Sequence, residues 1–298
     1  MPMTSRPRRS VLYMPGSNAR ALEKGRTLPA DGLILDLEDA VAPDAKDIAR
    51  QQVCAAVKAG GYGTRELVIR VNGLGTPWGY ADIAAVSASG AAAILLPKVE
   101  SPDAIRQLEA IMVANGAPDS MAIWAMMETP RGILRAEMIA DASSRLECLV
   151  MGTSDLAKDL GCAHTHERLP LMTSLGHCLL AARAAQIAIL DGVFLDLNDQ
   201  RGFEFSCAQG KELGFDGKTL IHPKTIEAAN RAFGPSPQDV ERSRNIIKAH
   251  AAATAKGEGI TVVNGMLIEN LHVESARRLL EMAEAIQASE AAQTNTEG

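Results

Sequence analysis

The sequence has few aromatic residues and no long apolar run. Two Trp, three Tyr and five Phe make up 3% of its 298 residues. No mainly apolar stretch approaches the roughly 18 residues that cross a bilayer, and no apolar signal-peptide core precedes Tyr13. We therefore expect a protein without a membrane span or a secretory signal.

A basic surface and a disulfide framework are missing as well. The formal net charge is −6, and the only short basic stretch is 6–9, so the composition argues against a nucleic-acid partner. Five scattered cysteines show neither paired nor metal-finger spacing. Such a set is typical of reduced thiols, and we expect a cytoplasmic protein. Local Arg and Lys side chains still allow an anionic small molecule to bind.

Short apolar runs alternate with amphipathic helical patterns along most of the chain. Helices are predicted at 44–60 and at 102–116, the second with Pro in its first turn and Asn-Gly at its end. Eight runs predict strands: 10–14, 32–36, 67–72, 92–96, 121–127, 147–152, 190–195 and 218–222. Strict βα alternation favours a parallel sheet, and eight units favour a closed (β/α)8 TIM barrel over 1–235.

The pattern changes after the eighth strand. Helices are predicted at about 223–233 and 237–256, and the Asn264-Gly265 pair between apolar residues predicts a β-hairpin within 260–271. A last helix is predicted at 272–289, and 291–298 is expected to be disordered. The sequence thus predicts a C-terminal helix–hairpin–helix arm, 236–298, outside the barrel and available to a neighbouring subunit.

Polar side chains stand at the ends of the predicted strands, where a TIM barrel keeps its active site. Seven strand ends carry them: Asp36, Glu38 and Asp39; Arg70; Lys98 and Glu100; Glu128; Asp155; Asp196; and His222.

Glu128 and Asp155 end consecutive strands, so in a parallel barrel their carboxylates can reach one point. Without a neighbouring His or Cys cluster, such a pair suits Mg²⁺, with Mn²⁺ as a substitute. The alternative interpretation is that each carboxylate caps a helix.

Arg70 lies inside an apolar strand, so its guanidinium requires an anionic partner. The partner is either structural, with Glu38 and Asp39 as candidates, or a substrate carboxylate or developing enolate. Glu38 and Asp39 can hold metal-bound water, orient Arg70 or transfer a proton.

The turn after the first strand has features of a phosphate site. Ser17 or Asn18 can cap the helix that follows, and Arg20 and Lys24 lie in its first turns. His222 is expected to fix a loop or contact a ligand.

At these residues the sequence resembles the citrate lyase β-subunit-like CoA-ester lyases of the HpcH/HpaI aldolase superfamily. The matching segments cover most of 8–235: RRSVLYMPGSN, LILDLEDAVAPDAK, LVIRVNGLGTPWGYADI, ILLPKVESP, METPRGI, LVMGTSDLAKDLG and GFDGKTLIHPKTIEAAN.

The resemblance implies a TIM barrel in a homotrimer or hexamer. It implies Mg²⁺ held by Glu128 and Asp155, and substrate held by Arg70 and Glu128. The CoA nucleotide would lie over the first βα loop, near Arg20 and Lys24, and over the region of Lys218 and His222. Relatives supply an Asp from the C-terminal hairpin to a neighbouring site; here Glu269 stands at that position.

The reaction implied is Mg²⁺-dependent, reversible carbon–carbon cleavage of a malyl-, citramalyl- or citryl-type CoA ester. Its products would be acetyl-CoA and a 2-oxo acid. The alternatives are a CoA-free class II pyruvate aldolase, an acyl-CoA thioesterase, a carrier-dependent citrate lyase β-subunit and a non-catalytic subunit.

Overall fold

In the computed structural model, which describes residues 6–255, 257 and 259–294, the chain divides into two compact units. The first, Arg8–Phe233, is a closed barrel whose eight strands pair in parallel and in chain order. The strands are β1 (Ser10–Pro15), β2 (Gly32–Asp36), β3 (Glu66–Arg70), β4 (Ala93–Leu96), β5 (Ala122–Met127), β6 (Leu146–Met151), β7 (Ala188–Asp191) and β8 (Gly217–Leu220). The predicted (β/α)8 barrel is confirmed.

Helices connect the consecutive strands, and one follows the last strand. They are α1 (Ala19–Lys24), α2 (Lys46–Ala59), α3 (Gly79–Ser87), α4 (Pro102–Ala114), α5 (Pro130–Leu134), α6 (Ala136–Ala140), α7 (Thr153–Leu160), α8 (Met172–Ala184), α9 (Gln200–Leu213) and α10 (Ile226–Phe233). Three short 3-10 turns lie at Pro43–Ala45, Leu169–Leu171 and Pro223–Thr225. In the stretches that the structure describes, no helix combines the length and apolar character needed to cross a membrane.

The barrel unit has two apolar cores. The larger core lies between the strands and the surrounding helices, and a smaller one fills the barrel interior around Val68 and Trp124. At the amino-terminal end of the barrel, the guanidinium of Arg8 donates to both oxygens of Glu66 at 2.7 and 2.8 Å and lies 5.0 Å from the Trp124 ring. This buried pair closes the end of the barrel that carries structural rather than catalytic residues.

The second unit holds the C-terminal arm, Gly234 onward, with Arg6 and Pro7. It consists of α11 (Pro237–Thr254), the hairpin strands β9 (Thr261–Val263) and β10 (Met266–Ile268), and α12 (Asn270–Thr294). Asn264 and Gly265 have φ angles of 48° and 79°, so the predicted Asn-Gly hairpin turn is confirmed. An apolar core around Ile246 and Ile268 packs α11 and α12 against the hairpin.

Two boundary predictions are wrong. The seventh strand was predicted at 190–195, yet it ends at Asp191 because Phe194 turns to pack edge-on against Phe203 of α9, with ring centroids 6.1 Å apart. Asp196 therefore lies beyond the strand end, in the following loop. The last helix runs through Thr294, so 291–294 are helical rather than disordered. The remainder of that prediction, 295–298, and residue 256 lie outside the described residues.

Candidate active site at the carboxyl end of the barrel

Five charged side chains meet at the carboxyl end of the barrel, and we call them the strand-end cluster. They stand at or shortly after the ends of strands β2, β3, β4, β5 and β6 in turn: Glu38, Arg70, Lys98, Glu128 and Asp155. Salt bridges join Glu38 to both Arg70 and Lys98, and a further one joins Lys98 to Asp155. The sequence analysis places all five at strand ends and assigns roles to four of them, Lys98 being the exception.

Arg70 is held chiefly by Asp36, the last residue of β2. Its Nε donates to Oδ1 at 2.7 Å and its Nη2 to Oδ2 at 2.6 Å, and both side chains are buried. The sequence had offered Glu38 and Asp39 as partners; these lie 3.0 and 3.9 Å from Nη1. Since Asp36 occupies two of the three guanidinium nitrogens, Nη1 is the edge that faces the cluster.

Apart from these carboxylates, Arg70 contacts an aromatic ring and a thioether sulfur. Its guanidinium lies 4.8 Å from the centroid of the Tyr13 ring, and Nη1 is 3.7 Å from the sulfur of Met126. The Tyr13 hydroxyl also points at that sulfur, at 3.8 Å. Burial raises the pKa of Tyr13 well above its ordinary value, so its hydroxyl stays protonated.

Glu38 is positioned by the loop that follows β2. The ammonium of Lys46 donates to the carbonyls of Leu37 and Glu38 at 2.8 and 2.7 Å, which pins the loop backbone. The Glu38 side chain is nearly buried, and burial raises its pKa, against the opposing effects of Arg70 and Lys98. Asp39, next in sequence, is mostly exposed.

Glu128 follows β5 directly and is 2% exposed. Its Oε1 accepts the backbone N–H of Lys98 at 2.8 Å. Burial raises the pKa of Glu128 to about 7, although that hydrogen bond acts in the opposite direction. Its other face lies against Gly152, where an added Cβ would collide with the Glu128 side chain. Only glycine at 152 leaves room for this carboxylate.

The helix-cap alternatives for the two carboxylates are not adopted. Thr129, not Glu128, caps α5 by accepting the N–H of Gly132. Asp155 lies in the first turn of α7, whose N-cap is Gly152, and its side chain is 30% exposed. Both carboxylates therefore face the cluster rather than serving as caps.

The donor set suits a hard divalent cation that keeps most of its water. Glu128 and Asp155 offer carboxylate oxygens, and the buried Oε2 of Glu38 lies near Arg70 without accepting a well-directed hydrogen bond. Among the described residues, no three His, Cys, Asp or Glu side chains converge to hold a metal by themselves. Two carboxylates with water and substrate oxygens are the usual setting of Mg²⁺, so these residues fit that ion.

Three of the four side chains predicted to hold the nucleotide are exposed, namely Arg20, Lys24 and His222. Arg20 and Lys24 are exposed on α1, which Asn18 caps by accepting the N–H of Ala21. His222 is exposed just after β8, and its ring accepts the N–H of Lys224, so it fixes the turn there.

Lys218 is the exception, and its predicted nucleotide contact is wrong on structural grounds. Its side chain is fully buried behind the barrel wall, and its ammonium donates to Asp191 at 2.8 Å. Arg168 donates to both oxygens of the same carboxylate, at 2.6 and 2.8 Å. Lys218 is therefore committed to a buried ion pair and offers no surface to a phosphate.

Glu269 belongs to the C-terminal unit, where it stands between β10 and α12. Its backbone N–H donates to the His272 ring at 3.1 Å, which fixes the start of α12. The side chain is exposed.

Sequence reasoning gave Lys98 no role, although it placed Lys98 at a strand end, and it overlooked the Asp36–Arg70 pair and Gly152. Asp36 lies directly opposite Arg70 in the register of β2 and β3, a relation that becomes visible only once the strands are paired. The position of Lys98 after β4 indicated that it belongs to the site, but not which acids it contacts.

Comparison with known proteins identifies relatives over nearly the whole chain. Residues 9–223 match the HpcH/HpaI aldolase/citrate lyase family. A (3S)-malyl-CoA thioesterase of Cereibacter sphaeroides (strain KD131) is 49% identical over 95% of this chain and 96% of its own length. The citrate lyase subunit beta of Escherichia coli K12 is 35% identical over 94% of both chains.

A solved structure supports the same assignment. The CitE protein of Mycobacterium tuberculosis, in complex with magnesium, acetoacetate and coenzyme A, superimposes with a TM-score of 0.75 at 26% identity and covers 94% of this chain and all of that one. The fold, the strand-end charges and the match over 9–223 agree. This chain is an enzyme of the HpcH/HpaI aldolase/citrate lyase family.

Proposed function

We propose that this enzyme hydrolyses the thioester of a hydroxydicarboxylic acyl-CoA of the (3S)-malyl-CoA class, releasing CoA and the free acid. The observation that carries the proposal is the 49% identity, over 95% of the chain, to a (3S)-malyl-CoA thioesterase. The family resemblance seen in the sequence predicts carbon–carbon cleavage, whereas this similarity favours hydrolysis.

The strand-end cluster offers the groups that such an ester requires. Glu128 and Asp155 would hold Mg²⁺, which supplies a Lewis acid for the hydroxyl and carboxylate of the hydroxy-acid half. Arg70 presents Nη1 to the anionic part of the substrate, with its plane fixed by Asp36. Because the guanidinium is already oriented, it does not have to reorganise when charge develops in the transition state.

Hydrolysis needs a base for the attacking water, and Glu38 is suited to that role. Its buried carboxylate is a stronger base than an exposed one. The water oxygen bonds to the thioester carbon while its proton passes to Glu38, and Arg70 stabilises the resulting oxyanion. The carbon–sulfur bond then breaks, and the leaving thiolate takes the proton from Glu38.

The CoA moiety belongs near the first βα loop in this proposal. Arg20 and Lys24 lie exposed on α1, and His222 is exposed after β8, at the same end of the barrel. A related structure binds magnesium and coenzyme A, which supports both ligands for this chain.

A homotrimer or hexamer is also part of the proposal. Large apolar side chains are exposed on the hairpin of the C-terminal unit, with Val262 at 64% and Leu267 at 51%, and contact with a neighbouring subunit would cover them. Glu269, beside them in sequence, would then reach the neighbour's site. The free state of all five cysteines supports a cytoplasmic location.

Carbon–carbon cleavage is the second candidate, and the 35% identity to citrate lyase subunit beta favours it. In that reaction Arg70 would stabilise a thioester enolate, and the products would be acetyl-CoA and a 2-oxo acid.

The two reactions are separated by their products. Purified enzyme is incubated with (3S)-malyl-CoA and Mg²⁺, with and without EDTA, and free CoA, malate, acetyl-CoA and glyoxylate are quantified together. We expect equal amounts of CoA and malate, EDTA sensitivity, and a rate about 100-fold lower in Arg70→Lys. Formation of acetyl-CoA and glyoxylate would instead show that the enzyme cleaves the carbon–carbon bond. Absence of turnover would reject both.

A control variant keeps this assay specific. Asp44→Asn removes a carboxylate from the same β2–α2 connection as Glu38, but Asp44 is exposed and outside the cluster. We expect it to match the unaltered enzyme.

A further inference from the structure

Lys98 has an unusual backbone. Its φ angle is 51°, in the left-handed region that side chains other than glycine rarely adopt. This conformation follows directly on β4 and Pro97, and it directs the Lys98 N–H at Glu128, with 2.8 Å between nitrogen and Oε1. The strained backbone is therefore tied to the orientation of a carboxylate that we assign to the metal.

The side chain of Lys98 engages the other two acids of the cluster. Its ammonium donates to Oε1 of Glu38 at 2.9 Å and lies 3.6 Å from Oδ2 of Asp155. Lys98 thus contacts all three acids of the cluster: Glu38 and Asp155 through its ammonium, and Glu128 through its backbone N–H. The ammonium is not sealed in, because 48% of the side chain is exposed.

The charge balance explains what this ammonium can do. Five carboxylates lie in or beside the cluster, namely Asp36, Glu38, Asp39, Glu128 and Asp155. Arg70 and Lys98 form salt bridges with them, and the buried ammonium of Lys46 acts on the first three from behind the loop. Arg70 forms its main ion pair with Asp36. The positive charge of Lys98 therefore acts on the same oxygens that a divalent cation would use.

We propose that Lys98 is a positioning residue that orients Glu38 and limits the affinity of the site for its divalent cation. The inference rests on the proposed function for the identity of that cation and of the base. Because the ammonium lowers the negative potential at Glu128 and Asp155, the protein alone binds the cation weakly. A substrate carboxylate adds the missing negative charge, so cation and ester bind best together.

Mn²⁺ binding tests the inference without requiring turnover. Free Mn²⁺ is measured by electron paramagnetic resonance as it is titrated into the full-length protein without CoA ester. Lys98→Met keeps the length and the backbone constraint but removes the charge, and we expect about tenfold tighter binding, the effect of one unit charge on a divalent cation a few ångström away. Lys98→Arg should stay within about threefold of the unaltered protein.

Lys58→Met is the matched control, because Lys58 is exposed on α2 outside the cluster; we expect unchanged Mn²⁺ binding. Equal or weaker binding by Lys98→Met would overturn the inference, as would the absence of Mn²⁺ binding by both the unaltered protein and Lys98→Met. Circular dichroism and the melting temperature show whether each variant is folded, and Lys98→Gln, which also removes the charge, serves as the second test if the Met variant is not.

The positioning role has its own readout. At saturating Mg²⁺ we expect Lys98→Met to lower kcat for (3S)-malyl-CoA at least tenfold, with KM changed less than about threefold, because Glu38 loses its partner. Partial rescue in Lys98→Arg supports positioning, and an unchanged kcat refutes it. If the enzyme hydrolyses no CoA ester, the proposed function fails, whereas the Mn²⁺ titration still decides the effect of Lys98 on the cation.

Discussion

Replacing Asp36 by Asn tests whether the Asp36–Arg70 pair organises the active site. The Asp36 carboxylate accepts four hydrogen bonds: from Nε and Nη2 of Arg70 at 2.7 and 2.6 Å, and from the backbone N–H groups of Glu38 and Ala40 at 2.9 and 3.0 Å. An asparagine amide keeps the shape, but its NH2 group would face donors. It also removes the negative charge opposite a buried guanidinium.

The magnitude follows from the burial of the pair. Loss of one partner of a buried ion pair costs about 3–5 kcal/mol. Glu38 remains 3.0 Å from Nη1 and compensates in part, so we expect about 3 kcal/mol less free energy of unfolding. In the part of the chain that the structure describes, Asp36 forms no hydrogen bond or ion pair with Glu128 or Asp155, so Mn²⁺ affinity should change little. Thioester turnover should fall about 100-fold with the loss of Arg70 orientation.

Urea denaturation gives the free energy of unfolding and the midpoint for Asp36→Asn beside Asp44→Asn, and the CoA-release assay gives turnover. An Asp36→Asn protein within about 0.5 kcal/mol of the unaltered enzyme, and equally active, would refute the assignment of Arg70's orientation to Asp36.

Three further outcomes follow from the same structure. Gly152→Ala should weaken Mn²⁺ binding at least tenfold with the fold retained, because the added Cβ collides with Glu128; unchanged binding in the paramagnetic resonance titration would contradict the placement of that carboxylate. Burial raises the pKa of the Cys207 thiol to about 11, so at pH 8 only about one molecule in a thousand carries the reactive thiolate there. A thiol-specific reagent should therefore modify two half-buried cysteines in the native enzyme and the other three only after denaturation: Cys54 and Cys162 first, then Cys148, Cys178 and Cys207; five fast thiols in the folded protein would contradict this burial. Glu66→Gln should lower the free energy of unfolding by about 3 kcal/mol through its buried partner Arg8 and leave Mn²⁺ affinity unchanged, which denaturation and titration together measure; a large loss of metal binding would show that the two ends of the barrel are not independent.

The barrel was predictable because each βα unit carries its own local signal. Apolar runs of strand length, separated by amphipathic helices, specify a parallel arrangement, and eight repeats allow closure. The carboxyl ends of the strands then gave the site, since Glu38, Arg70, Glu128 and Asp155 had to point to one end of any such barrel. The hairpin was equally local, because Asn264-Gly265 supplies the left-handed backbone that its turn requires.

The contacts that could not be predicted depend on register and on backbone angles. Asp36 faces Arg70 only because β2 and β3 pair with those two residues in line. Lys98 has a positive φ angle where its backbone N–H reaches Glu128, a conformation that the sequence does not indicate for a lysine. Lys218 was mistaken for a surface residue because sequence does not reveal which side of a strand faces the helices, where Asp191 and Arg168 enclose it.

The end of β7 illustrates the same limit. Its apolar pattern continues past Asp191 to Leu195, but Phe194 there packs on α9 rather than joining the sheet, and Leu195 is exposed. Apolar side chains report burial, and burial against a helix is indistinguishable in sequence from burial in a sheet.

The most direct test of the central claim is whether an oxygen atom from water enters the carboxylate formed from the thioester. (3S)-Malyl-CoA is treated with the enzyme and Mg²⁺ in water enriched in ¹⁸O, and the products are followed by mass spectrometry. Hydrolysis by the strand-end cluster predicts malate with one ¹⁸O atom in the new carboxylate, formed at the same rate as free CoA. Formation of acetyl-CoA and glyoxylate, with no labelled malate, would contradict it.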